Sequence, residues 1–198
     1  MALVVGGTTV TGTQKLDATT LTGNLPAISG ASLTGISTTV SSQIFRLTTT
    51  FAGAAHPVID DNWEEVDDGG NGYGQVGSYV SQSSGKFKFS STGFYRIEFI
   101  LVVQGSEDNR TGYQYIMTSG NDGTGYANAA QAGGFIQPTA SSSSRFTSYC
   151  THQMDITDTT NQAVAFAVTH QGNASDQDTQ GHTDNTFTSA VFTRLGDT

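Results

Sequence analysis

The first 44 residues of this 198-residue chain contain no Phe, Tyr or Trp; every aromatic ring lies at or beyond Phe45. The same stretch carries only two charges, Lys15 and Asp17. A segment without aromatics, with scattered Leu, Ile and Val alone, cannot bury enough apolar surface by itself to offset the entropy of ordering its backbone. It is either a disordered tail or a segment that builds its core between chains. The chain therefore needs two separate readings.

In the first part, Leu21-Thr22-Gly23 recurs as Leu33-Thr34-Gly35. Aliphatic positions fall at Leu16, Leu21, Leu25, Ile28, Leu33 and Ile36, three to five residues apart. That spacing is too irregular for a heptad coil, and the intervening Gly, Thr and Pro disfavour helix. Short strand-and-turn units, each offering one aliphatic knob to an axis shared by several chains, fit the pattern. Residues 1–42 are predicted to form such an intertwined stalk, with those six aliphatics as its contacts. A Gly/Thr-rich disordered tail is the competing reading.

From residue 43 onward, β-branched and aromatic runs alternate with turn clusters such as Asp67-Asp68-Gly69-Gly70-Asn71-Gly72 and Asn121-Asp122-Gly123. Strands are predicted near 43–50, 63–66, 86–90, 94–104, 113–118, 134–137, 145–155, 163–171 and 187–194. Many short strands without helical periodicity indicate an all-β sandwich or jelly roll over 43–198. Tyr95-Arg96-Ile97-Glu98-Phe99 alternates as a strand with one wet face should, then becomes apolar on both faces over Ile100–Val103. Ala163–Val168 is continuously apolar. A second buried face in both strands predicts contact with another subunit.

Charge and cysteine content narrow the function. Eight Lys and Arg stand against 17 Asp and Glu, a net charge of −9, which argues against binding a phosphate backbone. The single Cys150 cannot form an internal disulfide. No apolar run is long enough to span a membrane. Met1–Gly7 lacks a basic region and a long apolar stretch, so no secretion signal is expected.

Gly85-Lys86-Phe87-Lys88-Phe89-Ser90-Ser91-Thr92-Gly93-Phe94-Tyr95-Arg96-Ile97 resembles, without a gap, the signature stretch of the complement globular-head domains, which belong to the tumour-necrosis-factor-like jelly rolls. The final Thr186–Phe192 strand is similar to that family's closing strand. The resemblance covers about residues 43–195 and implies a ten-strand jelly roll that assembles as a tight homotrimer. No Gly-X-Y collagen stalk precedes it. The 16–36 segment instead resembles repeats in structural proteins of marine bacteriophages. Together these imply a non-enzymatic virion-surface protein. Residues 1–42 would dock on other virion proteins, and the head would project as a fibre or spike that binds a host surface glycan or protein. The alternative is a capsid decoration or cement protein with a purely stabilising role.

Candidate residues follow from these readings. Phe87, Phe89, Tyr95, Phe99, Phe166 and Phe192 are predicted to make head-core or trimer contacts. Asp176, Asp178, His182 and Asp184 lie in a polar stretch, 172–185, expected to project as a receptor-contacting loop. The acidic cluster Asp60, Asp61, Glu64, Glu65, Asp67 and Asp68 could hold Ca²⁺, but it lacks the ordered spacing of a calcium loop, and a solvated turn is the favoured reading. The four His show no paired spacing of the kind transition metals need. Cys150 reads as a small buried hydrophobe.

Overall fold

The computed structural model describes residues 3–5, 8–10, 41–55, 58–66, 74–106, 109–137, 143–171 and 176–198. The chain divides into two units, Met1–Ser37 and Thr38–Thr198. In the first, β1 (Leu3–Val5) pairs antiparallel with β2 (Thr8–Val10), Leu3 opposite Val10. Leu16, Leu21, Leu25, Ile28, Leu33 and Ile36 lie outside the described residues.

The second unit is built from two antiparallel sheets. One runs β10 (Ala127–Ile136), β9 (Asn109–Ser119), β12 (Ala163–Gln171), β7 (Lys86–Phe89), β6 (Val80–Ser83). The other centres on β8 (Gly93–Gly105), flanked on one side by β11 (Ser144–Ile156) along its whole length. On the other side lies β14 (Ser189–Gly196), followed by β3 (Ser41–Leu47) and β5 (Trp63–Glu65). These described residues hold more strands than the ten expected, because the short β4 (Phe51–Ala52) and β13 (Gln177–Thr179) patch the second sheet.

Alternation in β8 sets the core. Tyr95, Ile97, Phe99, Leu101 and Val103 point inward and are at most 1% exposed. Phe45, Tyr95, Phe99, Phe192 and Trp63 from one sheet meet Phe87, Phe89 and Phe166 from the other. Phe87 stacks on Phe192 at 5.2 Å between ring centroids and meets Phe45 and Phe166 edge-on at 5.1 Å. Each fully buried ring contributes about 1.5–3 kcal/mol by removal from water, and edge-to-face pairing adds about 0.5–1.5 kcal/mol. All six aromatic side chains predicted to make core or trimer contacts are thus buried within one protomer.

The turn from β6 to β7 uses Ser84 (φ 49°) and Gly85 (φ 71°), two successive positive angles of the kind a tight hairpin turn demands. Gly85 is required for a second reason: a Cβ there would stand 2.1 Å from the Ile59 carbonyl oxygen.

Three expectations need correction. First, β10 begins at Ala127, not at 134, since backbone pairing with β9 carries the Ala/Gly run into the sheet. Second, Ala163, Ala165 and Ala167 are fully buried inside a single protomer. The second apolar face of β12 is therefore covered from within its own chain, where a neighbouring subunit was expected to cover it. Third, 172–185 is not simply a projecting loop. β14 pairs with β8 only as far as Ile100, which leaves the backbone groups of 103–105 on that edge without partners. β13 fills the gap, pairing Gln177 with Gly105 and Thr179 with Val103. Buried backbone donors and acceptors must be satisfied somewhere, and this polar segment does it.

Candidate functional site

The outward face of the β11–β8–β14–β3–β5 sheet is the most distinctive surface of the second unit. Register lines up Tyr149, Ile100, Ser189, Arg46 and Glu64 in one row, and Thr151, Glu98, Val191 and Ile44 in the next. Ile44, Ile100, Val102 and Val191 are only half-buried, giving the sheet an apolar centre on the side away from its core. Of the large apolar residues left exposed, Phe94, Tyr149 and Leu195 sit on strands of this sheet and Val76 bridges to β3 at Ser42. Phe135 is the exception, on β10.

Charges frame the apolar centre. Arg46 Nε lies 3.1 Å from Glu64 Oε2, the Arg side chain nearly buried and the Glu half-exposed. Glu98 accepts a 2.6 Å hydrogen bond from the Tyr149 hydroxyl and lies 3.3 Å from Arg96 Nε. The Glu98 carboxylate, by accepting that hydrogen bond from the neutral phenol, holds Tyr149 above its usual pKa, with partial burial adding to the effect.

The predicted receptor residues separate into two groups. Asp176 and Asp178 line a cavity of about 180 Å³ with Gln104, Gly105, Ser106 and Ser143. His182 and Asp184 share a turn, where the Asp184 N–H donates to His182 Nδ1 at 2.9 Å. The His182 ring meets Phe187 edge-on at 6.0 Å, and the Arg145 guanidinium sits 5.7 Å from the Phe187 centroid. Gln177, Thr179 and Gln180 are buried, so from Asp176 to Gln180 only Asp176 and Asp178 reach solvent.

The acidic cluster is split by the pleat. Glu64 faces outward to Arg46, whereas Glu65 Oε1 accepts from Gln43 Nε2 at 2.6 Å on the inner side. Asp61 accepts from Asn62 Nδ2, and Asp67 and Asp68 lie outside the described residues. Among the described residues no three His, Cys, Asp or Glu side chains converge as metal ligands would, and no helix is long and apolar enough to cross a membrane. Cys150 is buried, and burial pushes its thiol up to about 11, the opposite of what a nucleophilic thiolate requires.

Two features were not legible beforehand. One is a cavity of about 540 Å³ lined by Val58, Met117, Gly123, Thr124, Tyr126 and Asn128 on the first sheet. The other is a group of buried polar side chains, Gln114, His170, Gln177 and Thr179, at one end of the interior. Gln114 stands in an alternating run, Tyr113-Gln114-Tyr115-Ile116-Met117, whose two faces are both apolar enough to be the inner one.

The two facing sheets, with strand order and register as described, define a tumour-necrosis-factor-like jelly roll. Among solved structures the chain is similar to Eiger TNF from S. frugiperda, with a TM-score of 0.57 at 13% identity, covering 80% of this chain and 94% of that one. It is also similar to murine APRIL, with a TM-score of 0.53 at 11% identity, covering 79% of this chain and 99% of that one. At such identities the likeness identifies the fold alone. No protein-family model matches the sequence, and no curated protein matches it.

Proposed function

We propose that the chain is a non-enzymatic, homotrimeric structural protein of a bacteriophage virion, a surface fibre whose head projects from the particle and binds the host surface. The observation that carries the trimer is the half-covered apolar centre formed by Ile44, Ile100, Val102 and Val191. A lone protomer leaves these side chains partly in water, and a second copy packed on this face would remove them from it. The sequence resemblance to trimeric globular heads supports the same assembly. Trimerisation would also bring three copies of the aromatic-free segment together, which is the condition its composition needs to order.

The virion role rests on the likeness of 16–36 to bacteriophage structural repeats. In this reading, residues 1–42 dock on other virion proteins. Asp176, Asp178, His182 and Asp184 would form part of the receptor-contacting rim, and three heads would give avidity for a weak surface ligand.

Light scattering at micromolar concentration tests the assembly: a mass near three chains is expected, and a monomer overturns it. Immuno-electron microscopy of particles tests the location. Labelling of projecting fibres together with reduced adsorption by head-directed antibody supports attachment. Labelling over the capsid face with unchanged adsorption but lower particle stability in its absence supports the decoration alternative.

A further inference from the structure

At one end of the second unit the interior changes from aromatic to polar. Along β12 the inward series runs Val164, Phe166, Val168, His170; along β9 it runs Ile116, Gln114, Gly112. On the opposite sheet, β13 turns Gln177 and Thr179 inward, opposite Gly105 and Val103 of β8. Gln114, Gln177 and Thr179 have no exposed surface. The edges of the two sheets are tied together here: the Gly53 N–H donates to the Gln177 carbonyl, and Ala55 pairs with Val168.

Two of the side chains are half-satisfied. Gln114 Nε2 donates to the Phe99 carbonyl at 3.2 Å, and Gln177 Nε2 to the Gln171 carbonyl at 3.4 Å. Gln114 Oε1, Gln177 Oε1, Thr179 Oγ1 and both ring nitrogens of His170 are buried without a hydrogen-bond partner. Isolated orphans of this kind are rare in folded proteins, and a group of them in one region calls for a bonding partner.

We propose that this end of the head is an internal hydration site, in which ordered water molecules donate to Gln114 Oε1, Gln177 Oε1 and one imidazole nitrogen of His170 and exchange a bond with the Thr179 hydroxyl. The chemistry of the open valences selects the occupant. They are predominantly acceptors, so the guest must donate. Among the described residues no carboxylate bonds to them, and Asp178 lies on the other side of β13, in the row of Gln104. A cation would therefore be buried without a counter-charge, whereas water brings donors at no charge.

The site is also acid-sensitive. Burial holds His170 neutral down to about pH 4, opposed in smaller measure by the Gln177 side chain, which favours the protonated ring. Among the described residues, the imidazole lies against Gly112 of β9, whose Cβ position is 3.2 Å from His170 Nδ1 and 2.9 Å from Phe146 of β11, and the Gln177 side chain of β13 acts on it. None of these titrates. The nearest titratable neighbour along β11 is the Cys150 thiol, itself neutral throughout this range. Protonation converts the acceptor nitrogen into a donor and leaves an unpaired charge among water molecules arranged to donate, so the cluster breaks up.

The test is oxygen-17 water relaxation dispersion on the full chain at pH 7.5, read beside a high-resolution crystal structure. Wild type is expected to show long-lived internal water, with density bonded to these four side chains. The combined variant Gln114→Leu, His170→Phe, Gln177→Leu, Thr179→Val is expected to lose that contribution. An unchanged contribution overturns the proposal, as does density showing His170 bonded directly to Gln177 without water, or a cation in the site. Should the variant fail to fold, titration of wild type decides. The long-lived signal is expected to hold until the pH approaches 4 and to fall as it passes through that value, where the folded-state imidazole takes up its proton, and a signal flat across that titration overturns the assignment.

Discussion

Gln43 and Val80 are joined twice, side chain to backbone. Gln43 Nε2 donates to the Val80 carbonyl at 3.0 Å, and Gln43 Oε1 accepts the Val80 N–H at 2.7 Å. The same oxygen accepts the Tyr79 N–H at 2.8 Å. Gln43 belongs to β3 in one sheet and Val80 opens β6 in the other, so a single buried carboxamide closes the sandwich where the backbone ladders do not meet.

Gln43→Leu keeps the volume and removes the bonds, leaving two N–H groups, a carbonyl and the Glu65 carboxylate without their Gln43 partner. At about 1–3 kcal/mol for each buried group left unsatisfied, a loss of roughly 3 kcal/mol or more is expected in urea unfolding. A loss below about 1 kcal/mol would show that water replaces the carboxamide.

Gly85→Ala tests the turn between β6 and β7. The residue combines φ 71° with a Cβ position 2.1 Å from the Ile59 carbonyl oxygen. Strain and collision together should cost about 2 kcal/mol or more, seen as a fall in thermal midpoint with an unchanged far-ultraviolet spectrum.

Ala165→Phe probes the covered face of β12. Because Ala165 is fully buried within one protomer, overpacking should destabilise the head itself by about 1–3 kcal/mol. A variant that folds with wild-type stability but fails to assemble would instead mean that a neighbouring subunit supplies the cover.

Ile100→Asp places a charge at the centre of the outward face of β8, where the side chain is half-buried and opposite Tyr149. Sedimentation should show monomers whose thermal midpoint no longer depends on concentration. A trimer that persists would move the interface elsewhere.

The pH dependence of stability follows from His170. Its folded-state value is depressed from 6.5 to about 4, so the unfolded chain binds the proton more readily. The contribution is fully present above pH 6.5 and is lost progressively as the pH falls toward 4. The thermal midpoint of wild type should therefore decline through that window, and His170→Gln should flatten the decline. An equal slope in both proteins would assign the acid sensitivity to carboxylates.

Strands that carry their own pattern were legible in the sequence. Ala163–Gln171 is a strand over the range predicted, and β8 and β11 each differ by a residue at either end, since both pair β-branched or aromatic residues with clear alternation. Elements defined by what they lean on were not. The first eight residues of β10 are Ala, Asn, Gln and Gly, β6 is Val-Ser-Gln-Ser, and β13 is Gln-Asp-Thr; each is a strand because a neighbour has an unpaired edge. The polar interior was hidden for a related reason. Alternation shows that Gln114 and Ile116 share a face but does not say which face looks inward, and the partner residues Gln177 and Thr179 sit in a stretch that composition marks as solvent-exposed.

The seam where β13 completes the edge of β8 has a consequence for how this head can change over time. Of the stretch from Asp176 to Gln180, the inward-pointing Gln177 and Thr179 are held by the interior, while the outward-facing Asp178 can be exchanged for a side chain suited to another ligand. Drift among descendants of this chain should therefore carry a two-residue rhythm here, with new specificities arising at alternate positions while the strand that presents them stays in place.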